Sequence, residues 1–181
     1  MAQRDAIPRE PEMIVIGILR DGIDPANIEI AFDPADHLST GRSEEAEQAG
    51  TITVTPGDEG TVGGLSGQSA IVGGGAGALQ HRSGLVYVDC WGGAVDSWQS
   101  ADPQDVRADL KTEVYRALAP HYQGTSYADG TELTSLAPVD HTPIPSPPSS
   151  PTRRYGYRVA VRYSWDRIST GPAPDSDSES E

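Results

Sequence analysis

The chain has 181 residues and sets 27 Asp and Glu against 13 Lys and Arg, a formal net charge of −14. Lys111 is the sole lysine, so the other twelve basic residues (13 − 1) are arginine. That length suits one domain with an ordinary core, and a surface this acidic argues against nucleic-acid binding by charge attraction.

An excess of carboxylates keeps a surface hydrated and self-repelling, and at molar salt, where the Debye length is about 3 Å, the repulsion is screened. The composition therefore reads as an adaptation to very salty water, as in a haloarchaeal or similar salt-in host. A GC-rich coding bias explains the loss of lysine but not the net charge. Cys90 has no second cysteine to pair with and lies in an apolar run, which predicts an intracellular or intravirion chain. The longest apolar run, 13–19, is far below the ~20 residues that span a bilayer. Glu10 and Glu12 precede it in place of a basic region, so neither a signal peptide nor a membrane anchor is expected.

In chain order, Pro11-Glu-Met-Ile-Val-Ile-Gly-Ile-Leu-Arg20 reads as a short helix, with proline in its first turn, acids at its start and Gly22 as a stop. Its β-branched density also fits a strand. Residues 27–32 and 51–55 alternate apolar and polar side chains and predict two half-buried strands, with a loop over 33–50 between them. Residues 56–77 hold too much glycine for a helix and too few side chains for a core, which predicts an extended arm or a long hairpin, with 69–72 as a possible short strand. Leu85-Val-Tyr-Val-Asp-Cys-Trp91 is apolar on both faces apart from Asp89 and predicts a central strand covered on each side.

Asp102 then caps a helix over 103–119, with Pro103 at its first position and Asp105 in its first turn. Val106, Leu110, Val114 and Leu118 give it one apolar stripe. Residues 126–137 carry no firm pattern, and 138–151, with six prolines, are expected to run extended over the surface. Tyr157-Arg-Val-Ala-Val-Arg-Tyr-Ser-Trp165 alternates strictly and is the clearest strand. The last residues are Pro, Ser, Asp and Glu, a tail with nothing to bury.

The fold class expected is α+β: a small, mostly antiparallel sheet covered by one main amphipathic helix (103–119) and a short N-terminal helix. It forms a single domain over 1–170, with Gly-rich and Pro-rich arms at 56–83 and 138–153, and an acidic tail at 171–181.

No motif carries chemistry. Gly73-Gly-Gly-Ala-Gly77 is not followed by Gly-Lys-Ser/Thr and lacks the GxGxxG spacing of a nucleotide loop. His37, His81, His121 and His141 are scattered over loops or element ends and make no metal-site spacing. Cys90 in an apolar strand is a structural cysteine and not a thiolate nucleophile. Asp33, Asp36, Asp89 and Asp96 are too ordinary in so acidic a chain to mark an acid/base pair, and Trp91 and Trp98 read as packing groups. No catalytic, cofactor-binding or metal residue is assigned, and no cofactor. The one basic concentration, Arg153, Arg154, Arg158, Arg162 and Arg167, is a candidate subunit interface for an acidic neighbour.

The run Val86-Tyr-Val-Asp-Cys-Trp91, the helix from Val106 to Leu118 and the closing strand from Tyr157 to Trp165 resemble the tail-completion, or tail-terminator, proteins of long-tailed viruses. In that family a strand of the form VxVDxW leads into a helix that covers a small sheet. The resemblance lies chiefly in residues 84–120 and 155–166. It implies no enzyme but a virion protein assembled in the host cytoplasm, here of a haloarchaeal virus. It further implies a hexameric ring at the head-proximal end of the tail tube, which stops tube growth and meets the tube protein on one side and neck or head-closure proteins on the other. DNA passes through the lumen without specific binding, and an acidic lumen suits that. The competing readings are another neck or tail component, such as a head-closure or tube protein, and a halophilic host binding module or small enzyme.

Overall fold

The computed structural model describes residues 10–28, 30, 32–40, 50–61, 71–72, 79–93, 102–126, 132–145 and 154–168. Three α-helices, α1 (Pro11–Gly22), α2 (Pro34–His37) and α3 (Pro103–Leu118), accompany seven strands. These are β1 (Leu38–Thr40), β2 (Thr51–Thr61), β3 (Ile71–Val72), β4 (Leu79–Gly93), β5 (Thr125–Ser126), β6 (Glu132–Ile144) and β7 (Arg154–Ile168). They form one sheet in the order β1-β2-β4-β7-β6-β5, with β3 also pairing β4, and every pairing but β1 with β2 is antiparallel. The chain is thus an α+β fold with one main helix and a short N-terminal helix on a mostly antiparallel sheet, as the pattern of the sequence predicts.

The core lies between the sheet and the two longer helices. Ile52 and Val54 of β2, Val86, Val88 and Cys90 of β4, and Val159, Val161 and Tyr163 of β7 all point to that side and are almost wholly buried. The helix α3 meets them with Val106, Leu110, Val114 and Leu118, each at 0% exposure, so the predicted stripe is the buried one. Its start is fixed as its sequence demands, with the Asp102 carboxylate accepting from the Gln104 N–H at 2.8 Å. The helix α1 contributes Ile14, Val15, Ile18 and Leu19. These two helices touch where α1 ends: a Cβ on Gly22 would stand 2.8 Å from the Ala117 Cβ, so a residue without one is required there.

One buried acid fastens this corner. Glu113 of α3, with its side chain 4% exposed, accepts from the Asp24 N–H and from Asn27 Nδ2, both at 3.0 Å. Arg116 closes the set by donating to both Glu113 oxygens and to the Gly22 carbonyl. The Arg116 bonds, and then the other donors, hold the Glu113 carboxyl below its ordinary pKa against the opposing effect of burial.

Several expectations are corrected. Within 27–32 the described residues, 27, 28, 30 and 32, are not strand: Asp24 accepts from the Ala26 N–H and turns the chain into a 3-10 helix at Pro25–Asn27, and Ile28 and Phe32 reach the core outside any strand. The expected loop over 33–50 contains α2, capped by Asp33 through the Ala35 N–H at 2.9 Å, and the short β1, while residues 41–49 lie outside the described set. Of the two forms expected for the glycine-rich stretch 56–83, the described residues match the long hairpin: β2 runs to Thr61 and pairs antiparallel with β4 from Arg82 onward, and β3 at Ile71–Val72 falls within the short strand expected at 69–72; residues 62–70 and 73–78 are outside the described set. The arm at 138–153 is likewise sheet as far as Ile144. Prolines are tolerated there because β6 has β7 on one side only from Ser135 onward, and an edge strand can turn a missing N–H outward. A bulge between Pro138 and Asp140 leaves Val139 49% exposed. His81 and His141 stand inside β4 and β6 and not in loops or at element ends.

Candidate interaction surfaces

The sheet face turned away from the helices is built by strand alternation. Register aligns Thr53 with Asp89 and Asp89 with Arg158, and Thr55 with Tyr87 and Tyr87 with Ala160. At its centre Asp89, its side chain 5% exposed, takes two charge-assisted hydrogen bonds of 2.7 Å from Arg158 Nε and Nη2. The guanidinium also lies over the Tyr87 ring, 4.9 Å from its centroid. The Arg158 pKa is raised, first by the hydrogen bonds to Asp89 and then by its charge. Trp91 crosses the same face: its ring packs where a Cβ on Gly156 would otherwise sit, and its Nε1 donates to Thr53 Oγ1 at 3.3 Å. The central strand, expected to be covered on each side, is covered by helices on one side, while on the other Asp89 is buried and Leu85, Tyr87 and Trp91 are half-buried.

A second surface lies where α3 overhangs β7 and β6. Arg107 and Lys111, one helical turn apart, both place their cationic groups over the Tyr157 ring, at 4.3 and 4.4 Å from its centroid. Tyr115 follows one turn later, its ring edge-on to His141 at 6.5 Å, and His141 in turn meets Tyr157 at 6.2 Å. The Tyr115 hydroxyl lies 3.5 Å from His141 Nδ1, and burial, first, with nearby negative charge raises its pKa. His141 is exposed, and its backbone N–H donates to its neighbour Asp140 at 2.7 Å. Two cations and a histidine thus share one aromatic platform on an otherwise acidic chain.

Of the five predicted interface arginines, the structure places Arg154, Arg158, Arg162 and Arg167 along β7. Arg154 pairs with Gly93 and Arg167 with Gln80, at opposite ends of β7, and Arg153 is outside the described residues. Arg158 is engaged with Asp89. Arg162 shares the face of Arg158 and is exposed. The platform of Arg107, Lys111 and Tyr157 was missed in the sequence. Its signal was the i, i+4, i+8 spacing of Arg107, Lys111 and Tyr115, with the single lysine at its middle.

Cys90 is fully buried, and desolvation, then the charge of Asp89, pushes its thiol well above the ordinary range, so no thiolate is on offer. Trp98 and Asp96 are outside the described residues. Among the described residues, no three His, Cys, Asp or Glu groups lie together as a metal site, and no helix is long and apolar enough to cross a membrane.

No family model matches the chain, and no curated protein matches it in sequence. It is similar in structure to the sheath/tube terminator of an extracellular contractile injection system, solved in the extended state, at 12% identity and a TM-score of 0.41. The likeness takes in 97% of this chain and 64% of that one, so the chain spans less than two thirds of that protein's length. A TM-score of this size is below what marks a common fold, and the assignment that follows stands on the chain's own residues.

Proposed function

We propose that this chain is a structural subunit of a viral tail, a tail terminator that forms a ring at the head-proximal end of the tube, halts its growth and joins it to the neck. The observation that supports this reading is the use of the Val86-Tyr-Val-Asp-Cys-Trp91 strand. It lies within the sheet between β2 and β7, the closing strand pairs with β4 along its whole length, and the helix that follows covers it. That is the arrangement the resemblance implies, and it uses the acid of the motif as internal architecture, since Asp89 is taken by Arg158.

On this reading the chain is no enzyme, its partners are five further copies, the tube protein and neck or head-closure proteins, and DNA crosses the lumen without specific contact. Arg162, exposed on the face that carries the ion pair, would meet an acidic neighbour. The net charge of −14 suits a haloarchaeal virus and a lumen that repels phosphate.

Native mass spectrometry and cryo-EM class averages in molar salt, with and without tube subunits, test the proposal. A six-fold ring is expected. A monodisperse monomer that persists beside tube subunits would overturn it.

A further inference from the structure

We infer that the platform of Arg107, Lys111, His141 and Tyr157 receives the acidic tail of a neighbouring copy of this chain, an inference that rests on the ring reading above. Three observations converge on one occupant. The platform is cationic and aromatic: Lys111 makes no ion pair among the described residues, its ammonium lying over the Tyr157 ring at 4.4 Å, and His141 beside it is exposed. The segment Asp175-Ser-Asp-Ser-Glu-Ser-Glu181 carries a carboxylate at every second residue and nothing apolar, which complements such a platform. Third, tether length decides whose tail can arrive.

The strand β7 ends at Ile168, paired with Leu79, whereas Tyr157 pairs with Cys90 eleven residues back along the strand. At a strand rise near 3.3 Å per residue, that separation is about 36 Å. A fully stretched chain covers at most ~3.6 Å per residue, so Asp175 reaches about 25 Å from Ile168 and Asp177 about 32 Å. Both fall short of the platform in their own subunit. Glu179 would arrive only on a nearly straight chain, and Glu181 only on one drawn out to about three quarters of its full length, each at a cost in chain entropy. A neighbouring copy whose β7 ends within about 25 Å of the platform would offer all four carboxylates without that constraint.

The composition supplies a clean test, because Lys111 carries the sole side-chain amine. Full-length chain, grown as an equal mixture of natural-abundance and nitrogen-15 material and assembled with tube subunits, is treated with a water-soluble carbodiimide. This reagent joins a carboxylate to an amine only where they touch. Peptide mass spectrometry then reads which carboxylates join Lys111, and mixed-isotope pairs show whether the link is between chains.

Links from Lys111 to residues 175–181 in mixed-isotope pairs are expected, lost in the variant Asp175→Asn, Asp177→Asn, Glu179→Gln, Glu181→Gln with unchanged thermal unfolding. A six-fold ring without these links would overturn the inference and leave the ring reading standing. The same links found only within single chains would overturn it too. Absence of a ring by native mass would sink the ring reading first, and the inference with it.

Discussion

Replacing both members of the Asp89–Arg158 pair should harm the fold less than replacing either one. The side chains differ in cover, Asp89 being 5% exposed and Arg158 35%. In Arg158→Leu the carboxylate stays buried without a partner, a state that costs about 3–5 kcal/mol. In Asp89→Leu the guanidinium is already one-third in water and can remain over Tyr87, so the loss is about 1–3 kcal/mol. With both as leucine, the desolvation of two ions is no longer required and two apolar groups pack beside Tyr87. Such exchanges are often neutral, so the double variant should stand within about 1 kcal/mol of the parent.

Urea unfolding at fixed molar salt, followed by tryptophan fluorescence, measures all four corners of the cycle. The sum of the single losses should exceed the loss in the double variant by at least about 2 kcal/mol, with unchanged dependence on urea. Losses that simply add, or a larger loss for Asp89→Leu than for Arg158→Leu, would refute the account of the pair as buried architecture. The double variant is also the right reagent for assembly, since it removes the acid of the VxVDxW pattern while keeping the sheet. If Asp89 is architectural, rings should still form.

Three further outcomes follow from the same geometry. Gly17→Ala, with nothing within 4 Å of the new Cβ, should stabilise α1 by up to about 1 kcal/mol, whereas Gly22→Ala should cost about 1–2 kcal/mol by pressing on Ala117; thermal melts giving the two the same sign would contradict this packing. Glu113 titrates below its ordinary range in the folded chain, so its contribution is complete above the unfolded Glu pKa and is lost as pH falls through the folded value. The melting temperature of Glu113→Gln should therefore fall less steeply on acidification than that of the parent, and equal slopes in calorimetry would count against the node. The Cys90 thiol should ignore a disulfide reagent at neutral pH until the chain unfolds, and labelling within the mixing time would show that the core opens there.

What could be read from the sequence was what a single local signal dictates. The helix α3 was legible from Asp102, Pro103 and a four-residue stripe, and β7 from strict alternation, because in both the burial pattern and the backbone period agree. Residues 27–32 misled because Ile28 and Phe32 are buried at strand-like spacing while the backbone is set by the Asp24 turn, and alternation does not see a side-chain cap. The segment 138–144 misled in the opposite sense: its prolines forbid a central strand but not an edge, and only the sheet order says which it is. The platform on Tyr157 was half legible: helical spacing puts Arg107 and Lys111 on one side, but their ring is nearly fifty positions away, brought in by a helix lying across a strand.

Charge sharpens the same lesson. Arg154, Arg158, Arg162 and Arg167 follow one another along β7, and a strand spreads its residues along a line, with Arg158 at its middle held by Asp89. A helix does the reverse, because residues four apart stack on one side, so Arg107 and Lys111 combine where the arginines of β7 cannot. In a chain whose net charge repels its own copies, attraction has to arise where cations are concentrated. Among the described residues that condition is met over Tyr157, and any assembly of this protein should be more sensitive to Lys111 than to Arg158.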